Sequence, residues 1–192
     1  MKNIIFISPF LTHYRKYFYF RLNETMDGSI SFFFQNKIKD DGRPGIKIYN
    51  DDEVLKTYRN LFIKFISIKL SFSFDLINIV KSSNIKLVVI EGSTSNLTSW
   101  VLLLFKKYFG IKVIIWACGW QPEKKFLFVS NLKVLAEKIF FGRADYIINY
   151  SSKSKIYYQQ LGVKTPATIA YNGIDLQKFN EESEKIKFDG DN

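Results

Sequence analysis

The chain has 192 residues, 47% of them hydrophobic and 24% charged, and a formal net charge of +10. That length suits one sizeable α/β domain and not two ordinary ones, and the apolar content excludes wholesale disorder. Its single cysteine, Cys118, excludes an internal disulfide framework, and no run approaches the roughly 18 uncharged apolar residues of a membrane span.

In chain order, residues 3–8 form an unbroken apolar run that contains no small-residue cleavage site and is followed by Pro9. This reads as a first core strand, not a signal peptide. An aromatic and basic helix is expected over 14–24, then a strand over 30–34 and a weaker one over 46–49. Val54, Tyr58, Leu61, Phe62 and Phe65 recur at helical spacing behind Asp51 and Asp52, which predicts a helix. A second helix follows over 74–83 and a strand over 86–90. The Ser93-Thr94-Ser95-Asn96 run caps a helix over 97–109 that stops at Gly110. After a strand over 112–116, Leu132, Leu135, Ala136, Ile139 and Phe140 form the apolar stripe of another helix. A strand over 146–150, a helix capped by Ser151 or Ser152 and closed at Gly162, and a strand over 167–171 complete the series.

Unbroken apolar strands suit a parallel sheet covered on both faces. Their alternation with helices predicts a doubly wound, mostly parallel, Rossmann-like α/β sheet in a single domain. The domain is expected over 1–179, with 180–192 as a linker or tail. In such sheets ligands bind outside the carboxyl ends of the strands. That singles out the loops at 8–13, 91–96, 117–125 and 172–175.

The sequence has no G-x-G-x-x-G after the first strand and no G-x-x-x-x-G-K-[ST], which argues against a dinucleotide-dependent dehydrogenase and a P-loop nucleotidase. Asp189-Gly190-Asp191 has a D-x-D spacing but lies at the far end of the tail, and no His/Cys cluster is available for zinc, so no metal is expected. Candidate binding residues are those of the ligand-edge loops. Phe10 and His13, the only histidine, leave the first strand, and Arg15 can pair with a phosphate or carboxylate. Glu91 ends a central strand and can bind a sugar hydroxyl or act as a base. Gly119 permits close backbone approach, and Trp120 offers an apolar face to a sugar ring, whereas Trp116 reads as core. Lys124, Lys125, Phe126 and Phe128 interleave cations with aromatics, as a surface touching an anionic membrane does. Single-stranded nucleic acid uses the same chemistry, but no motif supports it and none is expected as a partner.

Four stretches together resemble the N-terminal half of a family 4, GT-B-fold glycosyltransferase. Ser8-Pro9-Phe10 with His13-Tyr14-Arg15 resembles the family's first loop and helix. Trp116-Ala117-Cys118-Gly119-Trp120 resembles its W-x-H-G stretch, and Arg143-Ala144-Asp145-Tyr146 its R-A-D entry to a strand. Tyr171-Asn172-Gly173-Ile174-Asp175 with Phe179 resembles its N-G-[IV]-D…F signature before the second domain. The resemblance implies sugar transfer from a nucleotide-sugar to a lipid-linked or other cell-surface glycan acceptor, held by the N-terminal domain, usually without metal. It also implies that the donor is held by a C-terminal domain, so no cofactor is expected in this chain and a donor domain or partner subunit is. The family's histidine is Cys118 here, a thiol mostly protonated at neutral pH. Little activity is therefore expected of this chain alone, in the cytoplasm or at the inner face of the cell membrane. The alternative is a non-catalytic module that recruits a partner to membranes.

Overall fold

The computed structural model describes residues 3–9, 13–35, 55–65, 68–117 and 127–171. Its centre is a seven-stranded, wholly parallel sheet in the order β3-β2-β1-β6-β7-β8-β9. The strands are β1 (Ile4–Ser8), β2 (Ile30–Gln35), β3 (Leu55–Tyr58), β6 (Leu87–Glu91), β7 (Lys112–Ala117), β8 (Tyr146–Asn149) and β9 (Ala167–Ile169). A separate antiparallel hairpin is made by β4 (Leu61–Phe65) and β5 (Ile68–Phe72). The helices are α1 (His13–Thr25), α2 (Phe74–Ser82), α3 (Leu97–Phe109), α4 (Leu127–Gly142) and α5 (Ser152–Gln160). The doubly wound α/β fold expected from the sequence is the one observed.

Strand alternation sorts the core into two layers. Ile5 and Ile7 of β1, Val88 and Ile90 of β6, and Val113 and Ile115 of β7 point to the face covered by α2, α3, α4 and α5. Phe6, Phe32, Phe34 and Val89 point to the other face, where Tyr19 and Leu22 of α1 meet them. The caps match the local sequence. Asn96 accepts from the Ser99 amide at 3.2 Å to start α3, and Gly110 ends it with φ 65°, a backbone conformation that glycine adopts without strain. Ser151 accepts from the Ser154 amide at 3.2 Å to start α5.

Two expectations are corrected. The stretch from Val54 to Phe65 is not a helix: its described part forms β3 and β4. The apolar positions do fall at helical spacing, but the run is rich in β-branched and aromatic residues, which pack better on a pleated surface. Tyr58 is buried where β3 pairs with β2, and Leu61–Phe65 finds a partner of like pattern in Ile68–Phe72. The weaker strand expected at 46–49 lies outside the described residues.

The second correction concerns α4. Phe140 is fully buried, but Leu132, Leu135 and Ile139 are 70%, 52% and 41% exposed. The inward side of the helix is carried instead by Glu137, Phe140 and Phe141. Glu137 tolerates that position because the Tyr157 hydroxyl donates to its carboxylate and Lys133 lies 3.9 Å away. The Arg143-Ala144-Asp145 stretch has a clear structural task. The Asp145 carboxylate accepts from the Val113 amide and from Lys106 Nζ, both at 2.8 Å, which pins the entry of β8 to β7 and α3.

If α4 packs as described, Phe140→Ala removes a filled core position and costs about 3–5 kcal/mol. Leu132→Ala changes stability by less than about 0.5 kcal/mol. Urea denaturation followed by circular dichroism checks both, and equal losses would show that the helix is rotated from the orientation described.

Candidate functional site

The strand order reverses direction between β1 and β6. From β1 the sheet grows one way through β2 and β3, and from β6 it grows the other way through β7, β8 and β9. The helices that follow β1 and β6, α1 and α3, lie on opposite faces, which opens a crevice at the carboxyl ends of the two strands, the place where open α/β sheets bind ligands.

Five elements converge there. Ser8 closes β1 and is buried. Arg15 comes from the first turn of α1, and its Nη1 stands 3.9 Å from Oε1 of Glu91, the last residue of β6. The two side chains are 19% and 34% exposed. At that distance and exposure the ion pair contributes under about 1 kcal/mol, so its effect is to hold two charges in place at the crevice. The Arg15 guanidinium carbon also lies 5.4 Å from the centre of the Tyr150 ring, just past β8. Tyr150 meets the edge of Trp116 at 5.5 Å, and Trp116 meets Phe6 and Phe18, each at 5.1 Å. Below this cluster the Tyr19 hydroxyl hydrogen-bonds Ser8 and Arg15. Burial pushes Tyr19 up to about 12, against the opposing influence of Arg15.

Gly92 fixes how Glu91 leaves the sheet. Its amide donates to the Trp116 carbonyl at 2.8 Å. A Cβ there would meet Phe141 Cζ at 3.0 Å and Ala117 and Ile115 carbons at 3.1 Å. Only a residue without a side chain lets the backbone turn so close to β7, and that turn sets the Glu91 carboxylate at the edge.

From this edge a groove of about 300 Å³ runs down the α1 face of the sheet. Arg15, Trp116 and Tyr171 stand at its upper end, Val89 and Ile148 form its floor, and Met26 lies at its lower end. It exists because α1 packs over β1 and β2 and leaves much of the same face of β6, β7 and β8 uncovered.

Of the residues singled out from the sequence, the structure brings together Arg15 and Glu91. His13 begins α1, but its side chain lies outside the described residues, as do Phe10, Cys118, Gly119 and Trp120 entirely. Lys124, Lys125 and Phe126 also lie outside them, and Phe128 is described only as part of the α4 backbone. β7 ends at Ala117, at the same edge as the end of β1, because the sheet is parallel. Trp116 packs among Phe6, Phe18 and Tyr150, in keeping with its reading as a core residue. Sequence reasoning placed Ser8 in a ligand-edge loop without giving it a role, and missed Tyr19 and Tyr150 as parts of this cluster. Tyr150 carries a usable signal, since it directly follows an apolar strand at the ligand edge.

No protein-family model and no curated protein matches the sequence. Among solved structures, Anabaena HepE in complex with UDP matches over 92% of this chain with a TM-score of 0.57 at 12% identity. A PfkB protein from Polaromonas matches over 88% with a TM-score of 0.41 at 10% identity, too loose a likeness to bear on function. The chain spans 45% of the length of the HepE structure, which shares its α/β fold.

Two outcomes test the site's architecture. Gly92→Ala should cost about 1–3 kcal/mol through overpacking, read as a lowered urea midpoint. An unchanged midpoint would mean that the turn has room the structure does not show. The second outcome is alkaline. An unfolded tyrosine ionises near 10.0, and Tyr19 in the fold near 12, so the unfolded chain loses that proton first. Tyr58 and Tyr157 are raised as well, by burial first and, for Tyr157, by the adjacent Glu137 carboxylate. Their contribution is complete below pH 10 and is lost as pH climbs through the folded values. Stability should therefore fall above about pH 10. The fall should be shallower in Tyr19→Phe, and identical slopes would contradict the assignment.

Proposed function

We propose that this chain is the acceptor-binding half of a glycosyltransferase that moves a sugar from a nucleotide-sugar to a lipid-linked or other cell-surface glycan precursor. The observation that carries the reading is the crevice at the β1/β6 reversal, where Arg15 and Glu91 meet beside the ring of Tyr150. A glycan acceptor of this kind presents a phosphate, hydroxyls and the flat apolar face of a sugar. Arg15 suits the phosphate, Glu91 a hydroxyl that donates to it, and the aromatic ring the sugar face. The fold shared with HepE in complex with UDP supports the reading, as do the four sequence stretches that resemble the family.

In this proposal the donor nucleotide is held by a second domain or subunit, and closure of that body over the edge completes the site. Glu91 positions the acceptor hydroxyl and accepts its hydrogen bond. Arg15 holds the acceptor's anionic group and orients the Glu91 carboxylate.

Isothermal calorimetry and amide NMR on the isolated chain test this division of labour. UDP and UDP-sugars should bind negligibly. A short-chain polyprenyl diphosphate sugar should shift the amides around Arg15, Glu91 and Tyr150, and the shifts should weaken at least tenfold in Arg15→Ala. Micromolar UDP binding to this chain alone would overturn its assignment as the acceptor side.

A further inference from the structure

The groove on the α1 side of the sheet has one charged end and an otherwise apolar lining. Arg15, Phe18 and Leu22 of α1 line it, as does Met26, whose amide continues the helical turn by donating to the Leu22 carbonyl at 3.1 Å. These four are spaced three, four and four residues apart, which sets them along one side of the helix. Tyr19, on the neighbouring side, is the residue that seals α1 to the sheet, whereas Phe18 and Met26 stay 40% and 37% exposed. At 1.5 Å per residue, Met26 lies about 16 Å below Arg15. The floor is the apolar sheet surface of Leu87, Val89 and Ile148. Among the described residues that line the groove, Arg15 is the only charged one.

An apolar channel with a cation at one mouth complements a hydrocarbon chain that ends in an anion. A volume of about 300 Å³ is at the small end of ligand pockets and suits one such chain, not two. The charged mouth opens on the crevice, where Arg15 meets Glu91 beside the ring of Tyr150. In a lipid-linked acceptor the phosphate joins the sugar to the lipid. With the phosphate on Arg15 and the sugar toward Glu91 and Tyr150, the lipid leaves the other way, and the groove is the apolar path on that side. We propose that the groove holds the first isoprene units of a polyprenyl phosphate acceptor. The chain lies between the Phe18, Leu22 and Met26 stripe and the floor at Val89 and Ile148. The proposal rests on the acceptor-side reading of the crevice and adds that this chain recognises the lipid itself. A diacyl phospholipid carries two chains on its phosphate and does not fit a single channel.

The test is calorimetry and amide NMR on the full 192-residue chain, with prenyl phosphates kept below the concentrations at which they form micelles. Farnesyl phosphate should bind at least about tenfold more tightly than geranyl phosphate, since each buried methylene is worth roughly fourfold. Equal affinities overturn the proposal. Dihexanoyl phosphatidic acid should bind at least about tenfold more weakly than farnesyl phosphate. Tighter binding assigns the groove to a phospholipid and also overturns it. Ile148→Trp fills the floor and should weaken farnesyl phosphate at least about tenfold by displacing buried methylenes. Met26→Glu, at a partly exposed position, should weaken it about fivefold by setting a charge against the chain. The same variant should leave the shifts caused by dimethylallyl phosphate unchanged, because that chain ends short of residue 26. Met26→Glu decides the matter if Ile148→Trp melts below the parent, and farnesyl phosphate affinity that neither variant lowers overturns the proposal. The groove and the acceptor site can fail separately. If a short-chain polyprenyl diphosphate sugar shifts the amides of Arg15, Glu91 and Tyr150 but not those of Met26, Val89 and Ile148, the acceptor reading stands and the groove falls. Farnesyl phosphate binding that grows with chain length, alongside micromolar UDP binding, supports the lipid groove and overturns the acceptor-side reading.

Discussion

The parallel pairing of β1 with β6 is the constraint on which the rest of the molecule depends. Ile4 to Ile7 lie beside Leu87 to Ile90 in register, although about eighty residues separate the strands. Once that pair forms, the chain has grown in one direction from β1 and must grow in the other from β6. Right-handed crossovers then assign α1 to one face and α3, α4 and α5 to the other. The crevice where Arg15 meets Glu91 is a consequence of that reversal and needs no special loop to create it. This also explains why the charged side chains Arg15 and Glu91 gather at the edge while the strands themselves are almost wholly apolar.

The two faces solve burial differently. The four-helix face uses aliphatic side chains from the strands, closed by Phe140, Phe141 and Tyr158. The α1 face has one helix for several strands and compensates with large rings: Phe6, Phe32, Phe34, Tyr19 and Trp116. Rings bury much area per residue and pack edge to face, as Tyr19 does against Phe6 and Phe34 at 5.4 and 5.0 Å. They also bring polar tips into the layer. The Tyr19 hydroxyl is satisfied by Ser8 and Arg15, whereas the buried Trp116 indole N–H has no hydrogen-bond partner among the described residues. An unmade bond of that kind costs about 1–3 kcal/mol, and it sits beside the groove.

Much of this was legible in the sequence, and the reasons are local. Strands β1, β2, β6, β7, β8 and β9 announce themselves as unbroken apolar runs, and Asn96, Gly110 and Ser151 punctuate the helices as their chemistry requires. Arg15 and Glu91 could be named because they follow or end strands at the ligand edge. Failures came where pattern alone decides nothing. Between Val54 and Phe65 the apolar residues satisfy a helical period and a pleated one together, and a partner strand at Ile68–Phe72 tips the balance. On α4 apolar residues cover both sides, so periodicity could not say which side faces the sheet. Tertiary contact settled that through Phe140 and Phe141. Tyr19 was invisible because its role arises from neighbours distant in sequence, whereas Tyr150 could have been found from its place directly after an apolar strand at the ligand edge.

The exposure of the edge bears on how chemistry could proceed there. Glu91 and Arg15 stand partly in water, where an ion pair is weak and a carboxylate is a poor base. Charges so placed can recognise and orient a partner, but they gain catalytic strength only when water is excluded and the local dielectric falls. The described residues provide a floor and walls for the crevice and no roof. Under the acceptor-side proposal the roof belongs to the donor-binding body, and its arrival would strengthen the Arg15–Glu91 interaction as it brings the donor. Recognition in the open edge and reaction in the closed one would then use the same two side chains. The change between them would be one of solvent exposure, without any rearrangement of the sheet.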